Sequence, residues 1–100
     1  MKTEERSFIL ENLKQLLSDY GIPDFYYSFS LDYLEGGVCL KEDSSDSFIV
    51  YDCERNKKRS ITPCTSLIDA CYEIISRFSV SVKDEQILKS KFNNLIKDYL

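Results

Sequence analysis

Four cysteines, at 39, 53, 64 and 71, and seventeen carboxylates are the residues of this 100-residue chain able to hold a metal, attack an electrophile or move a proton. The cysteines are spaced poorly for zinc, whose ligands come in pairs about two to four residues apart. No two lie closer than seven residues, and the chain contains no histidine. Without histidine, relays of the Ser-His or Cys-His type are excluded. The glycines at 21, 36 and 37 form neither a dinucleotide fingerprint nor a Walker loop. Carboxylate pairs of the glycosidase kind exist by number alone, but none stands in a distinguishing context. The expectation is a protein that is not an enzyme, with no catalytic residue, no metal site and no cofactor. In a reducing compartment Cys39, Cys53 and Cys71 read as small packing residues.

The carboxylates are unevenly placed. Asp32, Glu35, Glu42, Asp43, Asp46, Asp52 and Glu54 make seven acids between 32 and 54, against the single base Lys41, and Arg55, Lys57, Lys58 and Arg59 follow directly. The whole chain carries −4, which argues against general affinity for nucleic acid or anionic membranes. The basic run reads as the loop and edge strand of a hairpin, where lysines discourage edge-to-edge pairing. No stretch approaches the roughly 20 apolar residues of a spanning helix. The opening MKTEERSFILENLKQLL lacks the apolar block of a signal peptide, so the expected location is cytoplasmic.

The elements that must position these residues follow from periodicity. Phe8, Ile9, Leu13, Leu16, Leu17 and Tyr20 recur at helical spacing, predicting a helix from about Glu4 to Tyr20 that ends at Gly21 and Pro23. YYSFSLDYL alternates as a strand, with Tyr27, Phe29, Leu31 and Tyr33 on one face and Tyr26 on the other. EGG at 35–37 reads as a hairpin turn, VCLKE as the second strand, DSSD at 43–46 as another turn, and SFIVYDC as the third strand. That spacing sets Leu40 opposite Ile49, places Val38, Leu40, Ile49, Tyr51 and Cys53 on the core face, and leaves Phe48, Val50 and Asp52 on the reverse. ERNK turns into a fourth strand with Asn56 left-handed. Ser66 with Asp69, and Ser81 with Asp84, match capping boxes for two further helices. Their stripes are Leu67, Ala70, Cys71, Ile74, Ile75 and Phe78, then Ile87, Leu88, Phe92, Leu95, Ile96 and Tyr99.

The expected architecture is one α+β domain over residues 1–100, in the order α-β-β-β-β-α-α, with an antiparallel meander and helices mainly on one face. The reverse face is then open unless the third helix crosses to cover it. Tyr26 and Phe48 would stand there as apolar anchors, rimmed by Asp32, Asp52 and Glu54, which is the composition of a protein-binding surface.

YYSFSLDYLEGGVCLKE, FIVYDCERNKKRSI and LIDACYEII together resemble small cytoplasmic immunity proteins of bacterial polymorphic and contact-dependent toxin systems. The resemblance rests on Tyr27-Ser28, Cys39-Leu40-Lys41, Val50-Tyr51, Glu54-Arg55 and Ala70-Cys71, and covers about residues 26–78. Phe48 stands where the family pattern has Trp, and Asn56 where Gly follows Glu-Arg. The resemblance implies a protein that binds the C-terminal domain of one cognate toxin, often a nuclease, and occludes its active site or substrate surface. Tyr26, Asp32, Glu35, Glu42, Asp43, Asp46, Phe48, Asp52 and Glu54 are the expected contacts, with no nucleic-acid or membrane partner and a monomer or weak homodimer when free. Two other readings accompany it. One is a small homodimeric adaptor associating through the open sheet face. The other is an RNA-binding module using Arg55 to Arg59 and Tyr26, which the overall acidity disfavours.

Overall fold

Helix α1 spans Thr3–Tyr20 and stops at Gly21, whose φ of 102° is open to a residue without a side chain. The computed structural model describes residues 2–44 and 46–100. After α1, a 3-10 turn at Asp24–Tyr26 leads to strand β1 (Tyr27–Ser28), followed by β2 (Val38–Ser44), β3 (Ser47–Glu54) and β4 (Lys57–Cys64). Helices α2 (Leu67–Phe78) and α3 (Val82–Leu95) and a 3-10 turn at Lys97–Tyr99 complete the chain. The result is a single small α+β domain in the element order expected.

The sheet is mixed rather than an antiparallel meander. Its spatial order is β1-β2-β3-β4, with β1 parallel to β2 and the other pairs antiparallel. The reason lies at Ser28. Its Oγ accepts the backbone N–H groups of Ser30 (3.2 Å) and Leu31 (2.8 Å), a local turn that diverts the chain after two strand residues. Residues 29–37 then loop over the sheet and return it to β2 running in the same direction. EGG does form a turn, with Gly37 N–H bonded to Leu34 C=O and Gly36 at φ 76°, but it closes this loop instead of a hairpin.

The β2–β3 register differs by one residue from expectation. Leu40 faces Val50, and Glu42 faces Phe48. A bulge between Glu42 and Ser44 takes up the extra residue, and Ser44 pairs with Ser47; position 45 of the expected DSSD turn lies outside the described residues. Because side chains alternate, one residue of slip inverts the faces of β3. Phe48 and Val50 join the helix-side core with Val38 and Leu40, while Ile49, Tyr51 and Cys53 face the reverse side with Cys39. Phe48 is 3% exposed and is therefore no surface anchor.

The main core joins Ile9, Leu13, Leu16 and Leu17 of α1 to Leu67, Ala70, Cys71, Ile74 and Ile75 of α2, and to Leu88, Phe92 and Ile96 at the C-terminal end. Helix α2 lies on β3 and β4, and α1 and α3 pack on α2 and on each other. Both capping serines act as expected: Ser66 accepts from Asp69 N–H and Ser81 from Asp84 N–H, each at 3.1 Å. Tyr20 fastens α1 to the start of α3 by donating to Asp84 (2.7 Å) and accepting from Val80 N–H (3.1 Å). Three residues of the expected third-helix stripe, Ile87, Leu95 and Tyr99, are exposed. Only one flank of α3 meets the other helices, and Tyr99 lies past its end, its ring tilted against that of Phe8 with centroids 5.2 Å apart.

The reverse face is not crossed by α3. The 29–37 loop roofs its centre, with Tyr33 and Leu34 packed on a second small core of Cys39, Tyr51 and Cys53. The open sheet face that a homodimeric adaptor would use is covered there.

The β3–β4 turn is tight, with Arg55 at φ 51° and Asn56 at φ 63° between the paired residues Glu54 and Lys57. Two successive positive φ values match the two-residue hairpin turn in which Asn is favoured. Arg55 tolerates this conformation less well than Asn does. The Arg55→Asn variant is expected to be more stable by about 0.5–1 kcal/mol. Chemical denaturation reads this as a higher midpoint at unchanged slope.

Candidate functional site

The surface residues singled out by sequence separate into two ends of the sheet. Tyr26, Asp32, Glu35, Asp52 and Glu54 gather where β1 and β2 start and β3 ends. Glu42, Asp43 and Asp46 lie at the β2–β3 hairpin, roughly 15 Å away along the strands. At the hairpin, Arg6 of α1 holds Glu42 with two hydrogen bonds (2.8 and 3.3 Å) and lies over the Phe48 ring at 5.5 Å. Asp43 is exposed, and Asp46 takes φ 60° in the turn.

The first end is built around aromatic side chains. Phe25 is 65% exposed and Tyr26 44%, with ring centroids 4.6 Å apart. They are held on the short 3-10 turn that Pro23 starts. Tyr26 is tied to the loop by close packing: a Cβ on Gly37 would stand 3.0 Å from the Tyr26 carbonyl oxygen and 2.7 Å from Leu34 Cδ2. A side chain at this position would have to displace the Leu34 side chain and press on the Tyr26 carbonyl. Leu31, on the same loop, is exposed too.

The loop is fastened by polar side chains. Buried Tyr51 donates to the Asp32 carbonyl at 2.5 Å. The Tyr33 hydroxyl accepts Asn56 N–H (2.7 Å) and donates to Glu35 (2.9 Å). Glu35 also accepts Arg55 N–H at 3.0 Å, so its carboxylate satisfies the backbone of the β3–β4 turn. Lys58 bonds Asp32 at 3.0 Å and lies over the Tyr51 ring at 4.9 Å.

These contacts shift the ionisation of both loop acids. The Lys58 ammonium draws Asp32 below its ordinary 3.8, and the hydrogen bond from Tyr33, aided by Arg55 N–H, draws Glu35 below its ordinary 4.5. Hydrogen bonding to Asp32 raises Lys58 in turn. A carboxylate depressed in the folded state adds stability that is complete above its unfolded pKa and lost as pH falls through the folded one. The loop is therefore expected to loosen selectively as pH drops below the ordinary carboxylate range. Hydrogen exchange at residues 29–37, corrected for intrinsic rates, should accelerate there before exchange in α2 does.

Sequence reasoning missed two features. Phe25 carries more exposed apolar surface than Tyr26, and its position directly after Pro23-Asp24 was the available signal. Arg77 of α2 is the other. Its side chain is 12% exposed and pairs with Asp52 (2.9 Å) and Glu73 (3.0 Å). It also donates to the Ser60 carbonyl (2.6 Å), Thr62 Oγ1 (2.7 Å) and the Val50 carbonyl (3.3 Å). Ser60 has φ 53° at the point where β4 gains a residue relative to β3, so the guanidinium fills the bulge. The signal was its place three residues after Ile74, continuing the inward stripe of α2.

Charge at this end is mixed rather than acidic. Asp32, Asp52 and Glu54 pair with Lys58, Arg77 and Arg59, the last at 3.8 Å. Between α1 and β1 runs a shallow groove of about 370 Å³, lined by Leu10, Glu11, Lys14, Asp24, Tyr27 and Phe29 among others. Burial raises the Tyr27 phenol, helped by Asp24 and Glu11. Among the described residues there is no cluster of three potential metal ligands and no helix long and apolar enough to cross a membrane.

No protein-family model matches the chain, and no curated protein or solved structure matches it significantly.

Proposed function

We propose that this chain is an immunity protein, binding and neutralising a cognate toxin domain made by the same cell. The observation that carries the reading is the exposed Phe25–Tyr26 pair, mounted beside a loop whose polar groups are already locked. Large aromatic side chains dominate the binding energy of protein interfaces when they enter a partner's pocket. A surface already ordered before association loses little further conformational entropy on binding. The sequence resemblance over residues 26–78 supplies the partner class.

The contact surface in this proposal centres on Phe25, Tyr26, Leu31, Asp32 and Glu35. Glu42, Asp43 and Asp46 belong to the opposite end, and Phe48 to the core. Because most of the carboxylates at this end are paired within the protein, anchoring by aromatic rings outweighs attraction of a basic toxin surface. The toxin is occluded by a body seated over its active site or substrate surface, and charge complementarity sets register more than affinity.

The test is recovery of the tagged chain from its native cells, with bound proteins identified by mass. A stoichiometric protein that is toxic when expressed alone supports the reading. Recovery of the chain alone, as a stable dimer in sedimentation, opposes it and favours the adaptor.

A further inference from the structure

We propose that Cys39 and Cys53 are a site of oxidative modification, closing to an intramolecular disulfide when a hydroperoxide reaches them beneath the 29–37 loop. The inference is independent of the toxin reading. The two cysteines occupy the same face of β2 and β3, with Sγ atoms 3.7 Å apart. Both are buried, with Tyr33, Leu34, Tyr51 and Ile49 around them. The packing leaves each thiol facing the other.

The geometry favours this pair over the other two cysteines. Cys64 turns its thiol toward the Thr62 carbonyl at 3.7 Å, and both Cys64 and Cys71 belong to the main core on the other side of the sheet. A disulfide bond measures about 2.0 Å, so the sulfurs of Cys39 and Cys53 must travel less than about 2 Å toward each other. Cys39 lies directly across from Tyr51, which makes Cys53 its diagonal neighbour. Diagonal positions stand farther apart than opposed ones, so some backbone movement must accompany closure. That movement is available where the ladder ends, at Gly36 and Gly37, whose N–H and C=O are the last to bond Cys53.

The loop gates the chemistry. Burial and the neighbouring Cys53 push the Cys39 thiol up to about 12, so the closed state holds almost no thiolate to attack a peroxide. When the loop lifts, water reaches the pair and one thiol ionises. Its sulfur attacks a peroxide oxygen, the O–O bond breaks, and a sulfenic acid forms as water or an alcohol leaves. The second thiol attacks that sulfur and displaces water. Overall the dithiol gives up two electrons and two protons, and the hydroperoxide is reduced. Tyr33 sets the frequency of opening through its bonds to Asn56 and Glu35.

The reduced, full-length protein is treated with hydrogen peroxide, alkylated, and analysed by intact mass and peptide mapping. The expected product is lighter by two hydrogens before alkylation and takes up two fewer alkyl groups than the reduced chain once unfolded, links the peptides bearing Cys39 and Cys53, and reverts with a dithiol reductant. The Tyr33→Phe variant is expected to form it about tenfold faster, reflecting loss of hydrogen bonds that hold the loop. Linkage through Cys64 or Cys71 would overturn the assignment. So would a native protein that keeps all four thiols under peroxide exposures that oxidise the urea-unfolded chain. An unchanged rate in Tyr33→Phe would overturn the gating by the loop.

Discussion

The Arg77→Ala variant is expected to lose about 3 kcal/mol of unfolding free energy, the largest effect of any single polar substitution in this protein. The guanidinium uses all three of its nitrogens inside the structure, on two carboxylates, two carbonyls and one hydroxyl. Alanine leaves these acceptors facing a cavity between α2 and the β4 bulge. Removing one partner of a buried ion pair costs about 3–5 kcal/mol. Asp52 and Glu73 are partly exposed and regain water, which places the loss at the lower end. Small domains are stable by only about 5–15 kcal/mol, so the variant stays folded at low temperature with a much lower denaturation midpoint. Arg77→Lys is expected to recover less than half of the loss, because an ammonium cannot reproduce the planar fork. Urea denaturation checks both, and a loss below about 1 kcal/mol would mean that the bulge is held by its backbone alone.

The Phe25→Ala/Tyr26→Ala double variant is expected to fold as the parent does and to bind its partner at least about 100-fold more weakly. Both rings are mostly outside the core, so their truncation creates no cavity in it. Interface aromatics that act as anchors cost at least about 2 kcal/mol each when truncated, and two adjacent ones act as a unit whose losses do not simply add. Titration calorimetry against the captured partner reads the affinity, and circular dichroism confirms the fold. Charge reversal at Asp43 and Asp46, at the far end of the sheet, is expected to leave binding unchanged. The opposite pattern, with the hairpin acids decisive and the aromatic pair silent, would move the interface to the β2–β3 hairpin.

Much of the architecture was legible because helices and turns announce themselves locally. Gly21, Ser66 and Ser81 fix helix ends through left-handed geometry and side-chain capping, and Arg55-Asn56 makes the expected tight turn. What escaped the sequence depends on contacts between distant residues. The alternation of YYSFSLDYL is a strand pattern, yet Ser28 captures two backbone N–H groups and Tyr51, nineteen residues from Asp32, holds the diverted loop. A single bulged residue near Asp43 inverted β3 and moved Phe48 from surface to core. Such a bulge has no sequence signature, since any short polar run can carry it. The candidate surface was consequently half legible. Tyr26, Asp32 and Glu35 stand where a partner could touch them, but the carboxylates that looked like one acidic field are divided between two ends, and three of the seven, Asp32, Glu42 and Asp52, are paired with Lys58, Arg6 and Arg77 far along the chain.

The proposal as a whole is tested most directly by growth. The protein recovered with the tagged chain is expressed in a heterologous bacterium, alone and together with the chain. Arrest of growth by the partner alone, relieved by the wild-type chain and not by the Phe25→Ala/Tyr26→Ala variant, is the predicted result. Growth that stays arrested in the presence of the wild-type chain, although the two proteins form a complex, would contradict it.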